Sequence, residues 1–103
     1  MDAEALKQKV IECLYTIFDP ELPVNIYELG LIYKIDVKPE NVVHITMTLT
    51  APNCPAAQSL PLEVDEKVRA LQDVNDVHVN VTWTPKWEKS MMSEEAQLEL
   101  GFM

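Results

Sequence analysis

Apolar residues recur along this chain at two periods. Between positions 6 and 17 they fall three or four apart, at Leu6, Val10, Cys13, Leu14 and Ile17. That spacing draws one stripe along an α-helix. The predicted helix runs from a cap at Asp2 to about Phe18. From Leu31 the period drops to two. Leu31, Tyr33, Ile35 and Val37 alternate with Lys34, Asp36 and Lys38, and Val43, Ile45, Met47 and Leu49 alternate with His44, Thr46, Thr48 and Thr50. The short polar segment Pro39-Glu40-Asn41 separates the two runs, so they read as an antiparallel hairpin. One face of it is apolar and the other polar, which predicts helices on one side only.

The helical period returns over residues 55–71, with Leu60, Val64, Val68 and Leu71 on one stripe. Pro61 lies inside this pattern and should kink it or mark a restart at Ser59. A third alternating run spans Asp76 to Thr84, with Val77, Val79, Val81 and Trp83 expected to point inward. The strand–helix–strand passage should cross over right-handed. Ser93 is placed to cap a last short helix, Glu94 and Glu95 favour its N-terminus, and Gly101 ends it. Between the first helix and the hairpin, Asn25 and Glu28 have capping-box spacing, and Gly30 stands where a left-handed stop belongs. The expectation is an α/β protein of two layers (α+β): helix–hairpin–helix–strand, a three-stranded mixed sheet covered by helices on one face, and a short C-terminal helix. Residues 1–103 are enough for a single domain with one core.

Composition narrows the function classes. The net charge is −9, from 17 acidic against 8 basic residues. Nucleic acid and anionic membranes call for a basic footprint, so neither is an expected partner. No apolar run approaches the roughly 20 residues of a membrane span, and the acidic start Met1-Asp2-Ala3-Glu4 is not a signal peptide. A cytoplasmic location is the expectation. With two glycines there is no phosphate-cradling loop, and no Ser-centred nucleophile elbow occurs. Cys13 and Cys54 are too few for a disulfide framework and form no Cys-x-x-Cys pair.

The candidate chemistry centres on Thr50-Ala51-Pro52-Asn53-Cys54-Pro55. A strand pattern ends at Thr50 and a helical pattern follows Pro55, so Cys54 falls on a strand-to-helix turn. Unpaired N–H groups at a helix start favour an anion, and a thiol there loses its proton more readily. Pro52 stiffens the approach and Pro55 suits the first helical position. Cys54 reads as a reactive or metal-facing thiolate; the alternative is a small buried hydrophobe. Cys13, on the helix stripe, reads as packing. Asp19 and Glu21 lie just beyond a helix C-terminus, where the dipole disfavours carboxylates. They are acid/base or metal-facing groups, or they fix the loop near Cys54, or they are solvated turn residues. Trp83 and Trp87 flank Pro85 and either form an aromatic wall near the cysteine turn or close the core edge. His44 and His78 fall on the polar face of the sheet. A pair of histidines can bind metal, but two ligands are too few alone and nothing in the sequence makes their strands neighbours, so they read as solvated.

Several motifs then recur in a known order: Asp19-Pro20-Glu21, Ile26-Tyr27-Glu28-Leu29-Gly30-Leu31-Ile32-Tyr33, Thr48-Leu49-Thr50-Ala51-Pro52-Asn53-Cys54-Pro55, Trp83-Thr84-Pro85-Lys86-Trp87 and Met92-Ser93-Glu94-Glu95-Ala96. Together they resemble the SufT-like/PaaD-like iron–sulfur cluster assembly domain over nearly the whole chain. The resemblance implies a compact α/β domain and an accessory, non-enzymatic role in the assembly of iron–sulfur clusters and their transfer to client proteins. It makes Cys54 the suspected reactive or metal-facing residue, with Asp19, Glu21, Thr50, Pro52 and Trp87 supporting. Iron or an iron–sulfur cluster would be bound transiently, and the partners would be assembly proteins and client apoproteins, with a homodimer as one way to complete a ligand set. The alternative is an adaptor or accessory subunit for an aromatic-ring hydroxylase or another complex, with Cys54 structural. PaaD-like members carry a cysteine-rich C-terminal segment, and no cysteine follows Trp87 here. That favours the general assembly role.

Overall fold

The computed structural model describes residues 3–19, 23–50 and 59–101. Helix α1 (Ala3–Leu14) buries Leu6, Val10 and Leu14 along its predicted stripe. It stops earlier than the periodicity suggests. Thr16 and Ile17 donate their N–H groups to Cys13 and Leu14 in a tightened last turn, and the Thr16 hydroxyl also donates to the Cys13 carbonyl. These bonds satisfy helix-end carbonyls, as termini require. The chain then turns extended, and Phe18 makes an antiparallel bridge to Asn25. Asn25 caps the following turn by accepting from the Glu28 N–H at 2.8 Å. Gly30 has the positive φ (80°) expected of it.

Strands β1 (Ile32–Lys38) and β2 (Val42–Met47) form the predicted antiparallel hairpin. A single 3₁₀ turn, Pro39–Asn41, joins them, with Glu40 and Asn41 both in the left-handed region. The alternation in β1 is not perfect. Ile32 pairs with Met47 but Lys34 pairs with Thr46, so the register slips at Tyr33 and leaves its ring half-exposed. Helix α2 (Leu60–Arg69) begins with Ser59 as cap and Pro61 in its first turn. The described helix begins after Ser59, where the restart reading puts it. The expected helical residues 55–58 and the Asp2 cap lie outside the described residues.

Strand β3 (Asp76–Val81) runs parallel to β2, which gives the mixed order β1-β2-β3. The inward pointing predicted for its whole length holds for Val77 and for Val79, which packs half-buried against the core. Val77 is buried, whereas Val81 is 39% and Trp83 47% exposed. An edge strand has a neighbour on one side only, and strand pairing ends at Val81, so Trp83 lies past the sheet. Helices α1 and α2 pack on the sheet and on each other, and the core lies between the two layers. Val43, Ile45 and Met47 of β2 and Val64 and Val68 of α2 are fully buried within it.

The C-terminal stretch folds back over the loop before β1. Tyr33 donates its hydroxyl to the Pro85 carbonyl at 2.8 Å, and Trp87 Nε1 donates to the Leu29 carbonyl at 2.7 Å. The Ser93 N–H donates to the Glu28 carbonyl, and the Ser93 hydroxyl also donates to the Glu28 carboxylate. Helix α3 (Glu94–Leu100) starts at Ser93, whose Oγ accepts from the Ala96 N–H, and ends at left-handed Gly101. Both caps are those predicted.

Candidate functional site

Three backbone bonds tie the chain after α1 to the end of β2. Ile26 N–H donates to Ile17, Leu31 N–H to Ile26, and Thr48 N–H to Leu31. A fourth, from Thr82 N–H to Met47, adds the end of β3. The segment that ends at Asp19 and the segment Thr48–Thr50 are thereby gathered at one end of the sheet, the carboxyl end of parallel strands β2 and β3. In open α/β sheets ligands bind at that end. The connection from Thr50 to Ser59 leaves from there and feeds the start of α2.

Asp19 is 3% exposed. It is a buried carboxylate, which sets aside its reading as a solvated turn residue. Thr48 is buried as well, and its hydroxyl has no hydrogen-bond partner among the described residues. Leu49 is buried and Thr50 half-exposed. A buried hydroxyl left without a hydrogen bond costs stability. Cys54, Glu21 and Pro52 lie outside the described residues.

The other candidates separate by burial. Cys13 packs half-buried against the core, and burial pushes its thiol up, with Lys67 opposing. It stays a protonated thiol at neutral pH, a poor nucleophile or metal ligand. Trp87 is half-buried and packs on the core edge, while Trp83 is exposed. The two do not form one wall. Beside the Asp19 turn, a groove of about 400 Å³ is lined by Tyr15, Phe18, Val24, Glu28, Glu95 and Glu99. Phe18 is 52% exposed there. Partial burial, then the Glu28 carboxylate, raise the Tyr15 phenol.

Some relationships escaped sequence reasoning. His44 and His78 stand directly opposite each other on adjacent strands, a pairing that needs strand order to see. The Glu28–Ser93 contact joins two capping motifs that the sequence shows only separately. Among the described residues no group of three or more His, Cys, Asp or Glu side chains is spaced to hold a metal ion.

A sequence model of the family described as "Iron-sulfur cluster assembly protein" matches residues 7–81. The chain belongs to that family. Its relatives include an "Fe-S protein maturation auxiliary factor" of Porphyromonas gingivalis, 50% identical over 97 residues, with 94% of this chain and 92% of that protein covered. The "Fe-S protein maturation auxiliary factor YitW" of Bacillus subtilis is 44% identical over 101 residues, covering 95% and 96%. Among solved structures, a domain of unknown function from Bacillus anthracis superposes with a TM-score of 0.89 at 38% identity, covering 97% of this chain and 95% of that one. The superposition covers nearly the whole chain, beyond the matched residues 7–81. No helix among the described residues is long and apolar enough to cross a membrane.

Proposed function

We propose that this chain is a non-enzymatic accessory factor in the maturation of iron–sulfur proteins, working in the cytoplasm on assembly proteins and client apoproteins, with Cys54 as the working thiol. The observation that carries the reading is the convergence at the carboxyl end of β2. There backbone bonds running from Ile17 through Ile26 and Leu31 to Thr48 bring the end of the segment that carries buried Asp19 toward buried Thr48, six residues before Cys54 in the sequence. Half-identity to a maturation auxiliary factor along almost the full length of both chains supports the same reading. Residues 1–103 act as one assembly-type unit, since α3 buries Ala96 in the same core as α1 and α2.

The cluster is cargo in this reading, and the ligand count says how it is held. A protein-bound cluster takes about four thiolate-type ligands. The chain has two cysteines, and Cys13 is committed to packing as a protonated thiol. One usable thiolate per chain means that cargo is shared, between two copies of the chain or with an assembly protein or client. Glu21, Thr50 and Pro52 shape the approach to Cys54, Asp19 supports it from the neighbouring turn, and Trp87 holds the loop behind them.

The test is client maturation in cells lacking the protein, complemented with wild type or Cys54→Ser, alongside anaerobic reconstitution followed by absorption spectroscopy. The variant is expected to accumulate as soluble, folded protein and to leave client iron–sulfur enzymes inactive. Full client activity with Cys54→Ser would overturn the assignment of the thiol.

A further inference from the structure

The polar face of the sheet carries a pair of groups that the reading above does not use. His44 on β2 and His78 on β3 are direct partners in parallel register. Their ring centroids are 4.8 Å apart and their planes 30° from parallel. Adjacent strands are spaced about 4.8 Å apart, so both imidazoles rise side by side from the same face. Asp76, two residues before His78 and on the same face, places Oδ2 3.4 Å from His78 Nε2. Its other oxygen is held at 2.6 Å by Arg69, which fixes the carboxylate in place. Asp36 is the partner of His44 on the β1 side but is engaged by Lys34 and Lys38 at 3.3 and 3.7 Å.

We propose that His44 and His78 together chelate one first-row divalent cation of the Ni²⁺, Cu²⁺ or Zn²⁺ class on the open face of the sheet. Imidazole nitrogen suits these ions, and Fe²⁺ and Mn²⁺ stand below them in the affinity order. Asp76 occupies the outer position that carboxylates take behind metal-bound histidines. An Nε2 proton directed at Asp76 would leave Nδ1 of His78 as the lone-pair nitrogen. Asp36, balanced by two lysines, contributes no bond. Two protein ligands leave the rest of the coordination sphere to water. The site is therefore weaker than a closed structural site and exchanges its ion readily. Both histidines sit mid-strand, and the chelate as drawn uses no thiol.

The experiment is a titration of the folded protein with Ni²⁺, which does not oxidise thiols, read by calorimetry and by imidazole proton–nitrogen NMR spectra. Wild type, His44→Gln, His78→Gln and Cys54→Ser are compared, each first shown to be folded by circular dichroism. Wild type and Cys54→Ser are expected to bind one ion per chain with the same affinity, with the resonances of both rings shifting together. Each histidine variant is expected to lose about tenfold or more in affinity. Because the chelate spans two strands that separate on unfolding, Ni²⁺ should also raise the melting temperature of wild type and not of His78→Gln. Histidine variants that bind like wild type, loss of binding in Cys54→Ser, or no uptake by wild type would each overturn the site. Only the Cys54→Ser result would point to the thiol as the ligand, so failure here is separable from failure of the maturation role.

Discussion

Gly30 and Met91 meet backbone to backbone: a Cβ added to Gly30 would overlap the Met91 carbonyl oxygen. The contact lies in a strap in which residues 85–93 cover the loop before β1. Tyr33, Leu29 and Glu28 bond Pro85, Trp87 and Ser93 in turn, in antiparallel order. The loop so held also supplies the Leu31 carbonyl that anchors Thr48. The strap therefore sets the back wall of the end of the sheet where Asp19 and Thr48 lie.

Replacing Gly30 with alanine meets two obstacles. The residue has φ of 80°, where an L side chain is strained by about 1–2 kcal/mol. The new methyl also strikes a backbone carbonyl, which cannot rotate aside as a flexible side-chain tip would. Gly30→Ala is expected to cost about 2–4 kcal/mol in all. A urea titration checks this. The midpoint should fall while the slope stays unchanged, and a loss within about 0.5 kcal/mol would mean that the strap gives way freely.

Trp87 is a test of the same strap through a hydrogen bond rather than a clash. Trp87→Phe keeps most of the packing and removes the donor to the Leu29 carbonyl. Leaving that partly buried oxygen unpaired should cost about 1–2 kcal/mol, and Trp87→Ala should cost more by removing the ring as well. Thermal denaturation of the three proteins orders them. Equal stability of Trp87→Phe and wild type would show that water replaces the indole.

These two residues also show what can be read from a sequence of this kind. Gly30 announces its backbone geometry, because a glycine after a capping box has few other reasons to be there. The helix stripes, the hairpin and the caps at Asn25 and Ser93 are local and were legible for that reason. Trp87 offered two readings, and only the fold selects the core-edge one, because its partner is 58 positions away. The exposure of Val81 and Trp83 is not legible because alternation does not reveal which strand is an edge or where its pairing stops. The His44–His78 pairing depends on parallel register, which the sequence does not carry. Asp19 looks solvated by composition and is buried because bonds from Ile17 and Phe18 fold its turn against Asn25 and Ile26. Cys54, Glu21 and Pro52, read as central from the motif, lie outside the described residues and remain assigned by the motif and the proposal built on it.

Asp19 separates charge from shape. Asp19→Asn keeps the volume and one carbonyl-type oxygen and removes the negative charge at a site that is almost closed to solvent. The expected outcome is a folded, soluble protein whose stability shifts by about 1 kcal/mol and which complements client maturation several-fold less well than wild type. Complementation equal to wild type, with the variant present at the same level, would reduce Asp19 to a loop-building role. Asp19→Ala provides the contrast, because it adds a void and an abandoned set of partners to the loss of charge.

Arg69 joins α2 to the edge strand through three acceptors: the Asp65 carboxylate at 3.0 Å, the Asp76 carboxylate at 2.6 Å and the Val77 carbonyl at 3.0 Å. The Arg69 hydrogen bond, followed by that from the Val77 N–H, holds the Asp76 carboxyl below its ordinary range. A carboxyl lowered by folding adds stability above its unfolded pKa of about 3.9, and that stability is lost as the pH falls through the lower folded value. Arg69 stays charged throughout, so the window belongs to the Asp76 carboxylate. Arg69→Gln is therefore expected to be less stable than wild type from neutral pH down to about pH 4, with the gap narrowing below that as Asp76 takes up its proton. It should not close completely, because the bond to the Val77 carbonyl does not titrate. Urea midpoints measured for both proteins from pH 7 to pH 2 decide the matter. A gap that is constant across the whole range would show that the guanidinium stabilises β3 through the carbonyl alone.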